Sequence, residues 1–151
     1  MRPWQDEQHI EIAAPPDAIY RYLADFNSHV DWSAGVTRVD PPAGGRFVVG
    51  AEFTMAGAVP GETRTGRITA LQAPMRIAWE TTAERGLGQW EFLVIPAAGA
   101  TTLVQRSTLH PRNLLFWLLR DRKRARRLSI DNRTSLSRIK AIIEASGDSQ
   151  T

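Results

Sequence analysis

"ETRTGRITALQAPMRIAWETT", residues 62–82, decides the fold of this chain. Two runs rich in Thr, Ile and Trp flank a break at Ala73-Pro74. In the first run Arg64, Gly66, Ile68 and Ala70 share a face. In the second Ile77, Trp79 and Thr81 share one, with Arg76, Ala78 and Glu80 opposite. A period of two around a hairpin-length break predicts two antiparallel strands.

The same composition extends outward in both directions. "VTRVD" (36–40), "AEFTMAGAV" (51–59), "QWEFLVIP" (89–96) and "TTLVQRSTLH" (101–110) are short runs punctuated by "PPAGG", "PG", "RGLG" and "PAAGA". They predict a continuing antiparallel meander. Phe53 and Met55 share a face, as do Trp90, Phe92 and Val94. On residues 101–110 two phases remain open. Either Leu103, Gln105, Ser107 and Leu109 point inward, or Thr102, Val104, Arg106 and Thr108 do; leucine count favours the first.

Helical periods bracket the meander. "QHIEI" (8–12) reads as a strand. In "APPDAIYRYLADF" the prolines end that strand, and Asp17 suits the first turn of a helix carrying Ile19, Tyr20 and Leu23. A second short helix or turn covers 27–32. Beyond Pro111 a long helix is predicted, with Leu114, Leu118, Ala125, Leu128, Leu136, Ile139 and Ile143 on one side, joined there by Asp121, Ser129 and Asn132. The order is strand, two short helices, about six strands, one long helix. This predicts a single α+β domain over 1–151, with 146–151 as a frayed tail. A curved sheet of about seven strands wraps the C-terminal helix and leaves a cavity between them, expected to reach roughly 300 Å³ or more.

Composition excludes several classes. With no cysteine there are no disulfides, thiolate metal sites or thiol nucleophiles. His9, His29 and His110 lie in different elements without metal-ligand spacing, and no phosphate-binding glycine loop or Gly-x-Ser-x-Gly elbow occurs. The reading is therefore no metal and no cofactor. No secretory leader is visible, and the longest strongly apolar run, Leu114–Leu119, is far below the ~20 residues of a membrane span. A soluble, cytoplasmic protein is expected.

Charge is local. Of the 19 basic and 16 acidic residues, residues 120–127 hold six basic and one acidic, so the remainder carries 13 basic and 15 acidic. A single patch of this kind does not fit a general nucleic-acid binder, so nucleic acid is the least favoured partner. In "LLFWLLRDRKRARR" (114–127), Phe116, Trp117, Arg120, Lys123, Arg124 and Arg127 are the candidate contacts to an anionic membrane surface or a second subunit, either of which would make the protein peripheral or dimeric. The plain alternative is a solvated basic face.

The arrangement resembles the SRPBCC superfamily, the START, birch-pollen-allergen and polyketide cyclase/dehydrase-like proteins with the helix-grip fold. "EIAAPPDAIYRYLADFNSHVDWSAGV" (11–36), "VVGAEFTMAG" (48–57), "GRITALQAPMRIAWE" (66–80) and "DNRTSLSRIKAIIE" (131–144) carry the likeness. It implies a cavity for a lipid-, quinone- or polyketide-like ligand. It places Trp32 as a structural plug, and it favours the second phase of the 101–110 strand. The iron–sulfur oxygenase branch is excluded because its Cys and His ligands are missing.

On this reading Phe53, Met55, Ile68, Trp79, Trp90, Phe92 and Leu118 line the cavity and stack on a small hydrophobic ligand. Arg64 and Asn132, polar groups on inward faces, are its orienting contacts. Carriage of such a ligand ranks first. A cofactor-independent cyclase or dehydratase ranks second and would need an acid or base such as Tyr20, Arg64 or Arg106. A membrane or interaction protein ranks third.

Overall fold

The computed structural model describes residues 2–57, 61–83, 86–119 and 121–148, with side chains for all of these except 116, 117, 119, 121, 122, 124 and 148. The strands are β1 (Trp4–Ile12), β2 (Arg38–Asp40), β3 (Glu52–Ala56), β4 (Thr63–Gln72), β5 (Arg76–Ala83), β6 (Gly86–Ala97) and β7 (Ala100–Pro111). The helices are α1 (Pro16–Ala24), α2 (His29–Trp32), α3 (Leu114–Leu119) and α4 (Asp121–Asp148), with a 3₁₀ turn at Phe26–Ser28. The strands form one antiparallel sheet in the order β1-β7-β6-β5-β4-β3-β2. A curved sheet closed over a long C-terminal helix is the helix-grip fold.

Local chemistry explains the elements. Pro15 and Pro16 end β1 and start α1, with Asp17 in the first turn. On β4, Gly66, Ile68 and Ala70 are buried while Thr65, Arg67 and Thr69 are exposed. Gly66 pairs with Phe53 of β3. A Cβ at Gly66 would lie 2.5 Å from Phe53 Cε2, so the missing side chain makes room for the ring. The β6–β7 turn is closed by Gly99 at φ 73°, a conformation other residues adopt only with strain.

Strand β1 begins four residues before the expected start. Its inward positions Asp6 and Gln8 are polar, which hides the alternation. Helix α4 supplies their partners: Asn132 Nδ2 donates to Asp6 Oδ2 (2.9 Å), and Gln8 Nε2 donates to Ser129 Oγ (3.0 Å). The open question on β7 resolves toward the leucines. Leu103, Gln105 and Ser107 are buried and Arg106 is exposed, opposite to the phase implied by the resemblance.

Helix α1 packs Ile19 and Leu23 over β5 and β6, and α4 packs Leu136, Ile139 and Ile143 mainly against β1. Helix α4 also touches α2, and Ala34 N donates to Ser135 Oγ (3.2 Å) just after it. The space enclosed by α2, α4 and strands β4–β7 is where the cavity was expected.

One expectation about the C-terminal segment is corrected. Leu114 and Leu118 are 55% and 57% exposed, not part of the sheet-facing stripe. Helix α3 packs chiefly on α4 and the end of β7, at the sheet's margin, and none of the described strands covers these leucines. Helix α4 continues through Asp148, into the stretch expected to fray, and Ser146 Oγ donates back to Ile142 O (3.0 Å). Residues 149–151 of that tail lie outside the described residues.

Candidate functional site

A cavity of about 110 Å³ lies between α2, α4 and the sheet, walled by His29, Trp32, Met55, Arg64, Trp79 and Gln105. It adjoins a second space of about 70 Å³ along Arg64, Thr81 and Trp90, which leads out past Trp4, Leu109 and Ala125. Both are smaller than the roughly 300 Å³ expected. Closely packed aromatic rings occupy the missing volume. Phe26 lies 4.9 Å from His29, 5.1 Å from Phe53 and 5.3 Å from Trp79, centroid to centroid, and Trp32 meets Phe92 at 5.4 Å.

The inner wall is aromatic, with its polar groups held in set directions. Trp79 and Trp90 stack at 6.4 Å and 15° across β5 and β6, and Trp90 Nε1 donates to Thr81 Oγ1 (2.9 Å). Arg64 reaches across from β4, where its Nη2 donates to Gly35 O (2.7 Å). Trp32 Nε1 is satisfied by Ser28 Oγ (3.1 Å).

His29 is the wall's titratable ring. It is 2% exposed, and burial pushes its pKa down to about 3. A weaker opposing effect comes from the Phe26 carbonyl, which faces Nδ1 at 3.1 Å, and the Arg64 charge lowers the value further. The ring is neutral at pH 7.

The profile of the family described as polyketide cyclase/dehydrase and lipid transport matches residues 4–144. The chain belongs to this family. Among solved structures, the di-domain ARO/CYC StfQ from the steffimycin biosynthetic pathway is similar with a TM-score of 0.79 at 19% identity, over 97% of this chain and 52% of StfQ. DynU16, a protein of the dynemicin biosynthetic locus, is similar at TM-score 0.71 and 14% identity over 95% of this chain and 48% of DynU16. A protein of Thermus thermophilus is similar at TM-score 0.76 and 14% identity over 94% and 98% of the two chains. The chain thus spans about half the length of StfQ and DynU16. At these identities the likeness is one of fold. No curated protein matches the chain in sequence.

Within this polyketide cyclase/dehydrase and lipid transport family member, the expected site residues separate into three groups. Met55, Arg64, Trp79, Trp90 and Asn132 stand at the cavity wall. Phe53, Ile68 and Phe92, expected there too, are instead packed in the core at 3%, 1% and 0% exposure, in one cluster with Phe26, Trp32 and the α1 residues Ile19 and Leu23. Leu118 is exposed and lines neither of these two spaces. Of the candidate surface contacts, the Lys123 and Arg127 side chains are exposed, and Arg127 Nε lies 4.0 Å from Asp131 Oδ1. Arg120 and the side chains of Phe116, Trp117 and Arg124 lie outside the described residues.

The candidate acids and bases of this family member do not converge. Arg106 is on the outer face of the sheet, paired with Glu7 at 2.6 Å. Tyr20 lies on α1, with its hydroxyl pKa raised by burial. Only Arg64 reaches the cavity. Among the described residues no group of three or more His, Asp or Glu is placed to hold a metal ion. His29 and Gln105 were missed as wall residues. Gln105 follows from the leucine phase of β7, but a lone His in a four-residue helix gives no periodic signal.

Asn132 is committed to the fold. Its Nδ2 donates to Asp6 Oδ2 (2.9 Å) and to the buried Ser107 Oγ (3.0 Å), tying α4 to β1 and β7. Asn132→Ala is expected to lower stability by about 1–2 kcal/mol, because it removes the donor from both. Urea midpoints check this, and a midpoint equal to wild type would show that the amide is not needed there.

Proposed function

We propose that this protein binds a small, flat hydrophobic ligand, lipid-, quinone- or polyketide-like, between the sheet and α4, and acts as its carrier. The observation that carries the reading is the Trp79–Trp90 stack at the wall of the inner space, with Trp90 also lining the adjoining space that reaches outward past Trp4 and Leu109. Aromatic faces favour a flat partner through dispersion and offset stacking. The family membership supports either ligand binding or cyclase chemistry. A cyclase or dehydratase has less support in the geometry. Arg64, the one candidate of the three at the cavity, offers only hydrogen-bond donors and so orients an oxygen but has no acceptor with which to take a proton. The cavity size limits the ligand to a small molecule, or to one that projects through the outer space.

Protein denatured in organic solvent is expected to release an apolar aromatic molecule, at up to about one per chain, identified by mass spectrometry. Adding it back should quench tryptophan emission. Failure of every apolar aromatic tried, extracted or added, to change that emission at saturation would contradict the reading.

One observation favours an added membrane role. Leu114, Leu115 and Leu118 are 55%, 66% and 57% exposed, next to the exposed Lys123, Arg126 and Arg127. No described helix is long and apolar enough to cross a bilayer. Leucines dipping into a headgroup region beside cations worth about 1 kcal/mol each would let the carrier load from an anionic surface. Co-sedimentation with anionic but not neutral vesicles, lost in high salt and weakened about tenfold or more by Leu118→Glu, is the expected result. Absence of sedimentation, with a dimer that Leu118→Glu dissociates, would make the patch a subunit contact.

A further inference from the structure

Two buried polar atoms on residues of the cavity wall meet no donor among the described residues: His29 Nε2 and Gln105 Oε1. Both are hydrogen-bond acceptors. An unmade hydrogen bond on a buried group costs free energy, and a ligand that supplies the missing donor recovers it. The two differ in what they can enforce. The Gln105 amide can turn end for end and offer its NH₂ instead. The His29 ring would lose a hydrogen bond by turning. Its Nδ1 faces the Phe26 carbonyl oxygen at 3.1 Å, an atom that only accepts, so Nδ1 carries the hydrogen and Nε2 keeps the lone pair.

We propose that His29 reads a hydroxyl on the ligand, its Nε2 accepting a hydrogen bond from a phenolic or enolic O–H, so that the site prefers hydroxylated aromatics to their alkyl and ether analogues. This deepens the binding reading above and rests on it. The partner is flat because the stacked faces of Trp79 and Trp90 line the same wall. It is an O–H because the acceptor is fixed. Arg64 and Asp131 are the charged residues on the same wall, and the Arg64 cation favours an O–H whose oxygen carries partial negative charge. Burial holds the ring neutral, and with a pKa of about 3 it is too weak a base to remove the proton. His29 is thus a specificity residue in this site, not a general base.

Tryptophan fluorescence at pH 7 measures affinities of wild type and His29→Phe for 2-naphthol, 2-methylnaphthalene and 2-methoxynaphthalene. Wild type is expected to bind 2-naphthol about tenfold or more tighter than the other two. His29→Phe should remove the preference and leave 2-methylnaphthalene within about twofold. The ether keeps the oxygen and loses the hydrogen. Equal binding of naphthol and ether would therefore assign the contact to a donor such as Arg64 and overturn the proposal. A preference that survives in His29→Phe would overturn it too. If all three probes bind alike, the cavity reading stands and only the His29 proposal falls. If none binds, the cavity reading fails and takes the proposal with it. The ¹⁵N resonance of His29 Nε2 in wild-type protein gives a second readout that does not depend on the variant folding. It should shift on saturation with 2-naphthol and not with 2-methylnaphthalene; an Nε2 signal unmoved by bound naphthol overturns the proposal.

Discussion

Lowering the pH from 7 to 5 is expected to cost the protein about 2 kcal/mol of folding stability through His29. The unfolded chain protonates this ring near 6.5, whereas the folded protein holds it neutral down to about 3. Between those values the unfolded state binds the extra proton, so stability falls as pH falls, by about 1.4 kcal/mol per unit once below 6.5. The loss is complete only below about 3. Glu7 and Glu144 have their pKa values lowered, by side-chain hydrogen bonds to His9 and Arg106 and to Lys140 respectively, but both act below 4.5 and so outside the pH 7 to 5 range of this test. Urea midpoints at pH 7, 6 and 5 measure the slope. His29→Phe keeps a ring against Phe26 and Trp32 and removes the titration, so its midpoint should be nearly flat over the same range. A wild-type midpoint indifferent to pH, or an equal slope in the variant, would show that the ring is not held neutral by burial.

Phe92→Ala is expected to cost about 3–5 kcal/mol, a large part of the roughly 5–15 kcal/mol available to a domain of this size. Phe92 is fully buried, and its ring touches Trp32 at 5.4 Å and Trp79 at 5.5 Å. Deleting it opens a void beneath the candidate site. Trp90, two residues away on the same face, should behave differently. It is half-buried, and its replacement by Ala removes one ring stack and one hydrogen bond, about 1–2 kcal/mol. Its main effect should be on ligand affinity, weakened about tenfold or more. Denaturation midpoints and 2-naphthol titrations of both variants separate core from wall. Comparable stability losses with unchanged affinity for Trp90→Ala would place Trp90 in the core as well.

The contrast between these neighbours marks where sequence reading stopped. Alternation placed Trp79, Trp90 and Phe92 on the concave face, because a strand's period of two depends only on the chain. Which of them would meet a cavity depends on α1 and the 3₁₀ turn closing over the sheet, a long-range packing event that no local pattern encodes. Leu118 failed for a related reason. Its helical phase matches Leu128 and Leu136, but the sheet does not extend far enough to cover it. Asp6 and Gln8 concealed the start of β1 because their burial is made tolerable by residues more than a hundred positions away, Asn132 and Ser129. Arg64 and Asn132 were found by the same logic in reverse, as polar side chains on inward faces. The structure then divides them: the Asn132 amide is used to hold the fold, and the Arg64 guanidinium stands at both spaces of the cavity.

The most direct test of a ligand site between sheet and helix is the ¹H–¹⁵N spectrum of the indole and backbone amides during titration with 2-naphthol. The indole signals of Trp79 and Trp90 should move together and saturate at one equivalent, with the amides of His29, Thr81 and Gln105 following the same curve. Shifts confined to α3 or to the outer face of the sheet around Arg106, or no shifts at saturating naphthol, would contradict a binding site in the cavity.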